Sequence, residues 1–231
     1  MEKKELEVIK EGKTGHGILI ENDGYLQLNN AKTIKEGIDD GEWHVPHPFI
    51  VSALFQKFGI KNANGRIYPE HVLKREVEKY QKLIDERMAL GECNHPAEST
   101  IDLSRISHNI IELHWEGHTL LGQMEINTSE GFRKQGIVST QGDMVANLLL
   151  NGYKIGVSSR GVGSVESKMG QMIVGDDFEL ICWDVVSSPS SPGAYIGSLE
   201  DLQQYVESDN SNKTKPSINE KISRIKQVLL S

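Results

Sequence analysis

The sequence is poor in the features that mark secreted and membrane-embedded proteins. Its 231 residues include two cysteines, Cys93 and Cys182, which are too few for a disulfide framework. No apolar run is long enough to span a bilayer, and the first residues contain no apolar core of signal-peptide length. We therefore expect a soluble protein of a reducing, intracellular compartment.

Positive charge is also scarce relative to negative charge. The chain has 25 lysines and arginines against 33 aspartates and glutamates, a formal net charge of −8 at pH 7. General nucleic-acid binders neutralise phosphates with clustered basic residues, so this balance argues against direct nucleic-acid binding. The length suits one domain with appendages rather than two full domains.

The distribution of polar residues divides the chain into three parts. Residues 1–45 are polar and rich in Gly, Asp and Lys, which favours a flexible, removable N-terminal segment. Residues 46–200 contain the regular apolar patterns of a folded domain. In residues 201–231 a polar linker precedes an amphipathic helix, which must pack on the domain or on a partner.

Apolar periodicity within residues 46–200 predicts two helices and several strands. One helix runs from Pro69 to about Leu90, with Gly91 as its C-terminal cap, and a shorter one runs from about Thr140 to Leu150. Strand-like runs occupy residues 49–58, a hairpin within 109–126, and then 153–159, 171–174 and 178–186. The predicted fold class is α+β, with mostly antiparallel strands and two flanking helices.

The stretch I-G-V-S-S-R-G-V-G-S carries the chain's strongest chemical pattern. Ser158 and Ser159 follow an apolar run, and Arg160 comes directly after them. A serine hydroxyl is a weak nucleophile unless a base takes its proton, and the candidate base is His95 in L-G-E-C-N-H-P. Asp184, in the apolar run L-I-C-W-D-V-V, is the candidate that orients the base, because a buried carboxylate needs a partner.

The two cysteines leave other chemistries open. If residues 93–95 are extended, Cys93 and His95 share a face, and together with Cys182 and Asp184 they could bind zinc. A second alternative is Cys93 as a nucleophile, which would have to turn from that face to meet His95. The third is that both cysteines are small buried thiols with no chemical role. For Arg160 the alternative to a role in the site is a surface salt bridge.

Four ordered motifs between Asn62 and Ala194 resemble one protein family. They are N-x-N-G-R-I-Y-P at 62–69, A-L-G-E-C-N-H-P at 89–96, G-V-S-S-R-G-V-G-S at 156–164 and W-D-V-V-S-S-P-S-S-P at 183–192. Together they are similar to the prohead core proteases of T-even-type tailed bacteriophages, which belong with the herpesvirus assemblin-like serine proteases. The resemblance implies an assemblin-like fold with a barrel-like antiparallel sheet.

The same resemblance implies an activity. The expected protein is a serine endopeptidase that cleaves scaffold and capsid proteins after glutamate inside the immature phage head, in the host bacterial cytoplasm. Its expected partners are those head proteins, and self-association is expected. The resemblance implies no membrane, no direct nucleic-acid partner, no metal and no organic cofactor. The alternative from another class is a non-catalytic scaffold or core component of the prohead on the same fold.

The family pattern also implies roles for single residues. His95 is the general base and Ser158 the nucleophile, with Ser159 as the alternative because adjacent serines leave the register open by one. The third member varies among related proteases between His, Glu and Asp, and Asp184 is the choice here. Backbone donors near Arg160 and Gly161 would form the oxyanion hole, with the glycines letting the backbone approach a substrate.

Self-processing is a further expectation of the resemblance. The family prefers an aliphatic residue two positions before the glutamate and a small residue after the cut. The string I-K-E-G satisfies this pattern at residues 9–12 and again at 34–37. We therefore expect removal of the N-terminal segment by cleavage after Glu11, after Glu36, or after both.

Overall fold

The computed structural model describes residues 6–21, 38–39, 42–43, 45–188, 191, 196–197 and 206–207. The strands are β1 Gly15–Ile20, β2 Ile38–Asp39, β3 Glu42–Trp43, β4 Phe49–Lys57, β5 Arg66–Ile67, β6 Leu90–Glu92, β7 Ile106–Glu116, β8 Thr119–Ile126, β9 Gly156–Lys168, β10 Gln171–Val174, β11 Glu179–Val186 and β12 Ile196–Gly197. The helices are α1 Glu70–Asp85, α2 Glu130–Gln135 and α3 Gln141–Leu150. Within the described ranges, no helix is both long enough and apolar enough to cross a membrane.

The strands form two five-stranded sheets and one small hairpin of β2 and β3. In the first sheet the long strand β9 pairs antiparallel with β1, β10 and β11, and β5 runs parallel to β10. The second sheet is antiparallel in the order β12-β4-β8-β7-β6. The predicted α+β class is confirmed, whereas a barrel is not: among the described residues neither sheet closes on itself.

The main core lies where both sheets meet α1, and it fixes β11 in place. Trp183 of β11 is fully buried and contacts two other rings edge-on, Phe55 of β4 at 5.5 Å and Tyr80 of α1 at 5.0 Å between centroids. Edge-to-face pairs add to the free energy of burial, each by about 0.5–1.5 kcal/mol. The residue after this anchored tryptophan, Asp184, is therefore held on a rigid strand.

Helix α1 forms as predicted, but it ends earlier than Gly91. Its buried face repeats at the predicted three- and four-residue spacing, through Leu73, Val77, Tyr80 and Ile84, and Val72 beside Leu73 is buried as well. The helix ends at Asp85, and Arg87 takes the left-handed conformation with φ 56°. Gly91 lies in β6, where an added Cβ would come within 2.3 Å of the His108 ring and 2.4 Å of the Trp183 carbonyl oxygen. The prediction that Gly91 caps the helix is wrong. This position holds a glycine because the His108 ring and the Trp183 carbonyl leave no room for a side chain.

The second predicted helix is present as α3, and its N-terminus is well capped. The Thr140 hydroxyl accepts a hydrogen bond from the Asp143 backbone N–H at 3.1 Å, and the Asp143 carboxylate accepts one from the Thr140 N–H at 2.9 Å. Asp143 also accepts the backbone N–H of Ser129, the residue that caps α2. The short α2 was not predicted, because six residues carry too little periodicity to detect.

Strand β9 is much longer than the predicted strand at 153–159. It runs for 13 residues, from Gly156 to Lys168. Gly161 and Gly163 let Phe178 lie against it, because a Cβ on Gly161 would fall 2.4 Å from the Phe178 ring and one on Gly163 would fall 2.8 Å from its Cα. These glycines therefore serve packing, in contrast to the expectation that they admit a substrate.

Part of the segment predicted to be flexible is an ordered strand. Residues 15–20 form β1 along the edge of β9, and Ile18 and Leu19 are buried. The prediction of loose packing is therefore wrong for these residues, because the segment's short apolar patch is used in the first sheet. Of the predicted linker at 207–216, all residues after Glu207 lie outside the described residues, as do the predicted helix at 217–231 and the candidate cleavage site at Glu36.

Candidate active site

The pairing of β9 with β11 brings the predicted residues to one face of the first sheet. Ser158 lies opposite Asp184, and Arg160 lies opposite Cys182. Directly opposed residues of an antiparallel pair share a face, as do residues two apart along one strand. All four side chains therefore project to the same side. Ser159, which lies opposite Trp183, projects to the other side.

His95 reaches this face through a tight loop after β6. The backbone N–H of Asn94 donates to the Val185 carbonyl at 3.0 Å, which fastens the loop to the end of β11. Asn94 and His95 both adopt left-handed conformations, with φ of 66° and 43°. The extended conformation that would place Cys93 and His95 on one face is therefore not adopted. The turn aims the ring at Asp184, and His95 Nδ1 lies 2.8 Å from Asp184 Oδ2 with both side chains buried.

Asp184 is held as a carboxylate by its neighbours. Burial alone raises its pKa, but the hydrogen bond and charge of His95, the charge of Arg160 and the Glu92 backbone N–H at 3.1 Å together hold the pKa below its ordinary value. A carboxylate that accepts from His95 Nδ1 leaves the lone pair of the ring on Nε2. That nitrogen is buried and has no hydrogen-bond partner among the described residues.

Arg160 is a fully buried cation between two carboxylates. Its Nε lies 2.9 Å from Asp184 Oδ2, its Nη2 pairs with the Glu92 carboxylate, and its Nη1 donates to the Glu98 carbonyl at 2.6 Å. Burial opposes the charge, yet the acidic groups around the guanidinium raise the pKa of Arg160 further above its ordinary value. The alternative of a surface salt bridge is wrong, since the side chain ties β9, β6 and β11 together in the interior.

The Ser158 hydroxyl is engaged by the N-terminal segment. Its Oγ donates to the backbone carbonyl oxygen of Glu21 at 2.6 Å, and Ser158 is buried. The strand before Glu21 also covers the backbone near the predicted oxyanion hole. Arg160 pairs with Ile20 of β1 on one side and with β11 on the other, and Gly161 likewise has both neighbours. With β1 in place, the expected exposed N–H near Arg160 is not available to a substrate.

Of the two cysteines, Cys182 is fully buried and Cys93 is half-buried. Cys93 and Cys182 are unpaired, and burial raises the pKa of both thiols, which disfavours the thiolate that a nucleophile or a zinc ligand requires. Cys182 Sγ donates to Asp184 Oδ1 at 3.2 Å. In the part of the chain that the structure describes, no three His, Cys, Asp or Glu side chains are placed to hold a metal ion.

Two sets of residues at or near the site were not predicted from the sequence. Glu92 lies in the quoted motif L-G-E-C-N-H-P, but its pairing with Arg160 could not be read from one sequence. The second set surrounds the Glu21 carboxylate, and it consists of Asn62, Asn64, Arg66 and Tyr68. The signal in the sequence is the motif N-x-N-G-R-I-Y-P, in which four side chains are hydrogen-bonding groups.

Comparison with known proteins defines the class, which is that of the peptidases. Residues 14–204 match the family described as prohead core protein serine protease. The chain belongs to the prohead core protein serine protease family, as its four motifs predicted.

One curated relative and one solved structure extend this comparison. The prohead core protein protease of Enterobacteria phage T4 is 30% identical over 165 residues, which are 70% of this chain and 74% of that protein. The structure of the bacteriophage T4 capsid assembly protease is similar with a TM-score of 0.58 and 26% identity, over 74% of this chain and 98% of that one. The mixed α+β fold with two sheets is thus shared with a protease of phage head assembly.

Proposed function

We propose that this protein is a serine endopeptidase that cleaves scaffold and capsid proteins of an immature phage head after glutamate. The observation that carries the proposal is the buried hydrogen bond between His95 and Asp184 on the face of the sheet that also bears Ser158. A base with an orienting carboxylate and a hydroxyl nearby is the arrangement of serine hydrolases on unrelated folds. Neither a metal nor an organic cofactor has a part in the proposed mechanism.

In this mechanism Ser158 Oγ attacks the scissile carbonyl carbon while His95 Nε2 takes the hydroxyl proton. His95 then gives that proton to the departing amine, and an ester on Ser158 remains. Water hydrolyses the ester by the same steps, with His95 again as base. Asp184 keeps Nδ1 protonated and stabilises the imidazolium. Before the first transfer, the hydroxyl must turn from the carbonyl oxygen of Glu21 toward Nε2.

The choice of Ser158 over Ser159 rests on the register of β9. Ser158 projects to the face of Asp184, whereas Ser159 projects to the opposite face, where its hydroxyl interacts with that of Tyr68. A nucleophile must lie within hydrogen-bonding reach of its base, and His95 is fixed on the Asp184 face.

The proposed location and partners follow from the family and its T4 members. The relatives are named for the prohead core and for capsid assembly. We extend to this chain a location inside the prohead, assembled in the host bacterial cytoplasm, with head proteins as substrates and with self-association. We also propose self-cleavage after Glu11, after Glu36, or after both, and Glu11 lies in an exposed turn that a second copy can reach.

The test is cleavage of a peptide that contains Ile-Lys-Glu-Gly by the unmodified chain and by two variants. Ser158→Ala should lose activity by a factor on the order of 10⁴ or more, whereas Ser159→Ala should keep cleaving after glutamate. Loss in Ser159→Ala alone would move the nucleophile by one residue. No cleavage by a chain already trimmed at its N-terminus would favour the non-catalytic prohead component.

A further inference from the structure

We propose that Glu21 occupies the enzyme's own recognition pocket for an acidic residue, and that the bond between Glu21 and Asn22 is a self-cleavage site. The inference rests on the proposed serine-protease function and adds to it the residues that read the substrate. Neither Glu11 nor Glu36 is involved. The pocket is defined by Asn62, Asn64, Arg66 and Tyr68, and the name "acid pocket" is used for these four residues.

The acid pocket gives each oxygen of the Glu21 carboxylate two hydrogen-bond donors. Oε2 accepts from Asn62 Nδ2 at 2.6 Å and from Asn64 Nδ2 at 2.7 Å. Oε1 accepts from the Tyr68 hydroxyl at 2.5 Å and from Arg66 Nη1 at 3.2 Å. Glu21 and all four pocket residues are buried. The motif N-A-N-G-R-I-Y thus supplies every donor from one short segment around β5.

All four acid-pocket groups that contact this carboxylate are hydrogen-bond donors. The pocket should therefore select a side chain whose oxygens both accept, such as glutamate. Burial raises the pKa of Tyr68, and the charge of Glu21 raises it further, so the tyrosine stays protonated and donates. Arg66 supplies a full positive charge. A glutamine in place of Glu21 would direct its NH₂ hydrogens at one of these donor pairs. A site that leaves buried polar groups unpaired rejects the wrong ligand strongly.

The backbone of the same residue lies at the proposed nucleophile. Residues 15–20 pair antiparallel with residues 160–165, which is how proteins bind an extended peptide along a sheet edge. Directly after this strand, the Glu21 carbonyl oxygen accepts from Ser158 Oγ at 2.6 Å. A buried ion pair that only anchors the N-terminus would explain the carboxylate contacts. Such an anchor would not explain why the backbone carbonyl of the same glutamate also accepts a hydrogen bond from Ser158, the proposed nucleophile.

The self-cleavage step is a balanced acyl transfer. Ser158 Oγ bonds to the Glu21 carbonyl carbon, its proton passes to His95 Nε2, and the bond from that carbon to the Asn22 nitrogen breaks. The Asn22 nitrogen leaves as an amine with the proton from His95. Water then cleaves the ester, so that Glu21 gains a terminal carboxylate and Ser158 regains its hydroxyl.

The first experiment is mass analysis of the incubated chain and of the peptides it releases. The unmodified chain should yield a new N-terminus at Asn22, either on the large product or on a fragment cut further along. Ser158→Ala should not yield it, and neither should Glu21→Gln. The bond between residues 21 and 22 staying intact, while an external glutamate peptide is cut, would overturn this inference and leave the proposed function standing.

The second experiment measures selectivity with two external peptides that differ only by Glu or Gln before the cut. The unmodified enzyme should prefer Glu in kcat/KM by about 100-fold or more. Asn64→Asp places a carboxylate against the substrate's own, so this preference should fall by about 10- to 100-fold. Tyr68→Phe, which keeps the packing on Phe178, should lower the preference in the same direction. Asn127→Asp, the same change as the first at an exposed position, should leave it unchanged.

The two experiments separate the two ideas. Absence of any cleavage, internal or external, would refute the serine-protease function. Cleavage after glutamate with an unchanged Glu-to-Gln preference in both Asn64→Asp and Tyr68→Phe would refute the acid pocket alone.

Discussion

Replacing Arg160 by methionine should be among the most damaging single changes in this protein. The guanidinium is the buried cation that faces both Glu92 and Asp184, and it also donates to the Glu98 carbonyl. Methionine fills a similar volume but leaves two carboxylates in the interior without it. Removing one partner of a buried ion pair typically costs about 3–5 kcal/mol, because the remaining charge is uncompensated.

The assay is urea unfolding of Arg160→Met in a Ser158→Ala background, which removes the proposed nucleophile and with it the proposed self-cleavage. The matched control is Arg87→Met, because Arg87 also pairs with a glutamate, Glu125 at 2.8 Å, but is largely exposed. Exposed pairs contribute at most about 1 kcal/mol, so the control should change stability little. Equal losses in the free energy of unfolding for the two variants would refute the argument that Arg160 compensates buried charge.

Three further predictions concern stability and use the same Ser158→Ala background. Gly161→Ala should lower the free energy of unfolding, measured in urea, by about 1–3 kcal/mol, because the new methyl group overlaps Phe178. The control Gly131→Ala in α2 should not destabilise the chain, because its added Cβ makes only ordinary contacts. Burial lowers the pKa of His108 to about 4, so the unfolded state binds more protons between that pKa and the usual 6.5. Unfolding should therefore become easier by about 2 kcal/mol from pH 7 to pH 5, and His108→Gln should flatten that dependence. Asp143→Ala should shift the thermal midpoint down by several degrees, as it removes acceptors from the N–H groups of Ser129, Ser139 and Thr140; a shift within error of zero would contradict this.

The parts of the fold that follow from local pattern were predictable from the sequence. The spacing of apolar residues in α1, the turn of the β7–β8 hairpin and the Thr140 cap of α3 each depend on neighbours a few residues away. Gly91 and Gly161 were misread for the opposite reason. Each is required by a side chain from a distant part of the chain, His108 of β7 or Phe178 just before β11, and one sequence does not show which segments meet.

The same distinction applies to the candidate site. The proximity of His95 and Asp184 was predicted from a general cost, that of burying a carboxylate without a partner, and the two side chains do meet. Glu21 was not considered because it follows a segment that looked polar and loose. Its contacts span more than 40 residues of sequence, and they depend on how β1 is placed along β9.

The position of β1 also determines which backbone groups of β9 are exposed. Residues 160–165 lie in an interior part of the sheet only because Gly15–Ile20 cover them. Departure of those residues would uncover one side of β9 and leave its backbone amides and carbonyls ready to pair with any extended segment, including one from a second copy. If the proposed cut after Glu21 releases the first strand, the shortened chain would need another polypeptide to complete its sheet, whereas a chain that keeps Gly15–Ile20 would not.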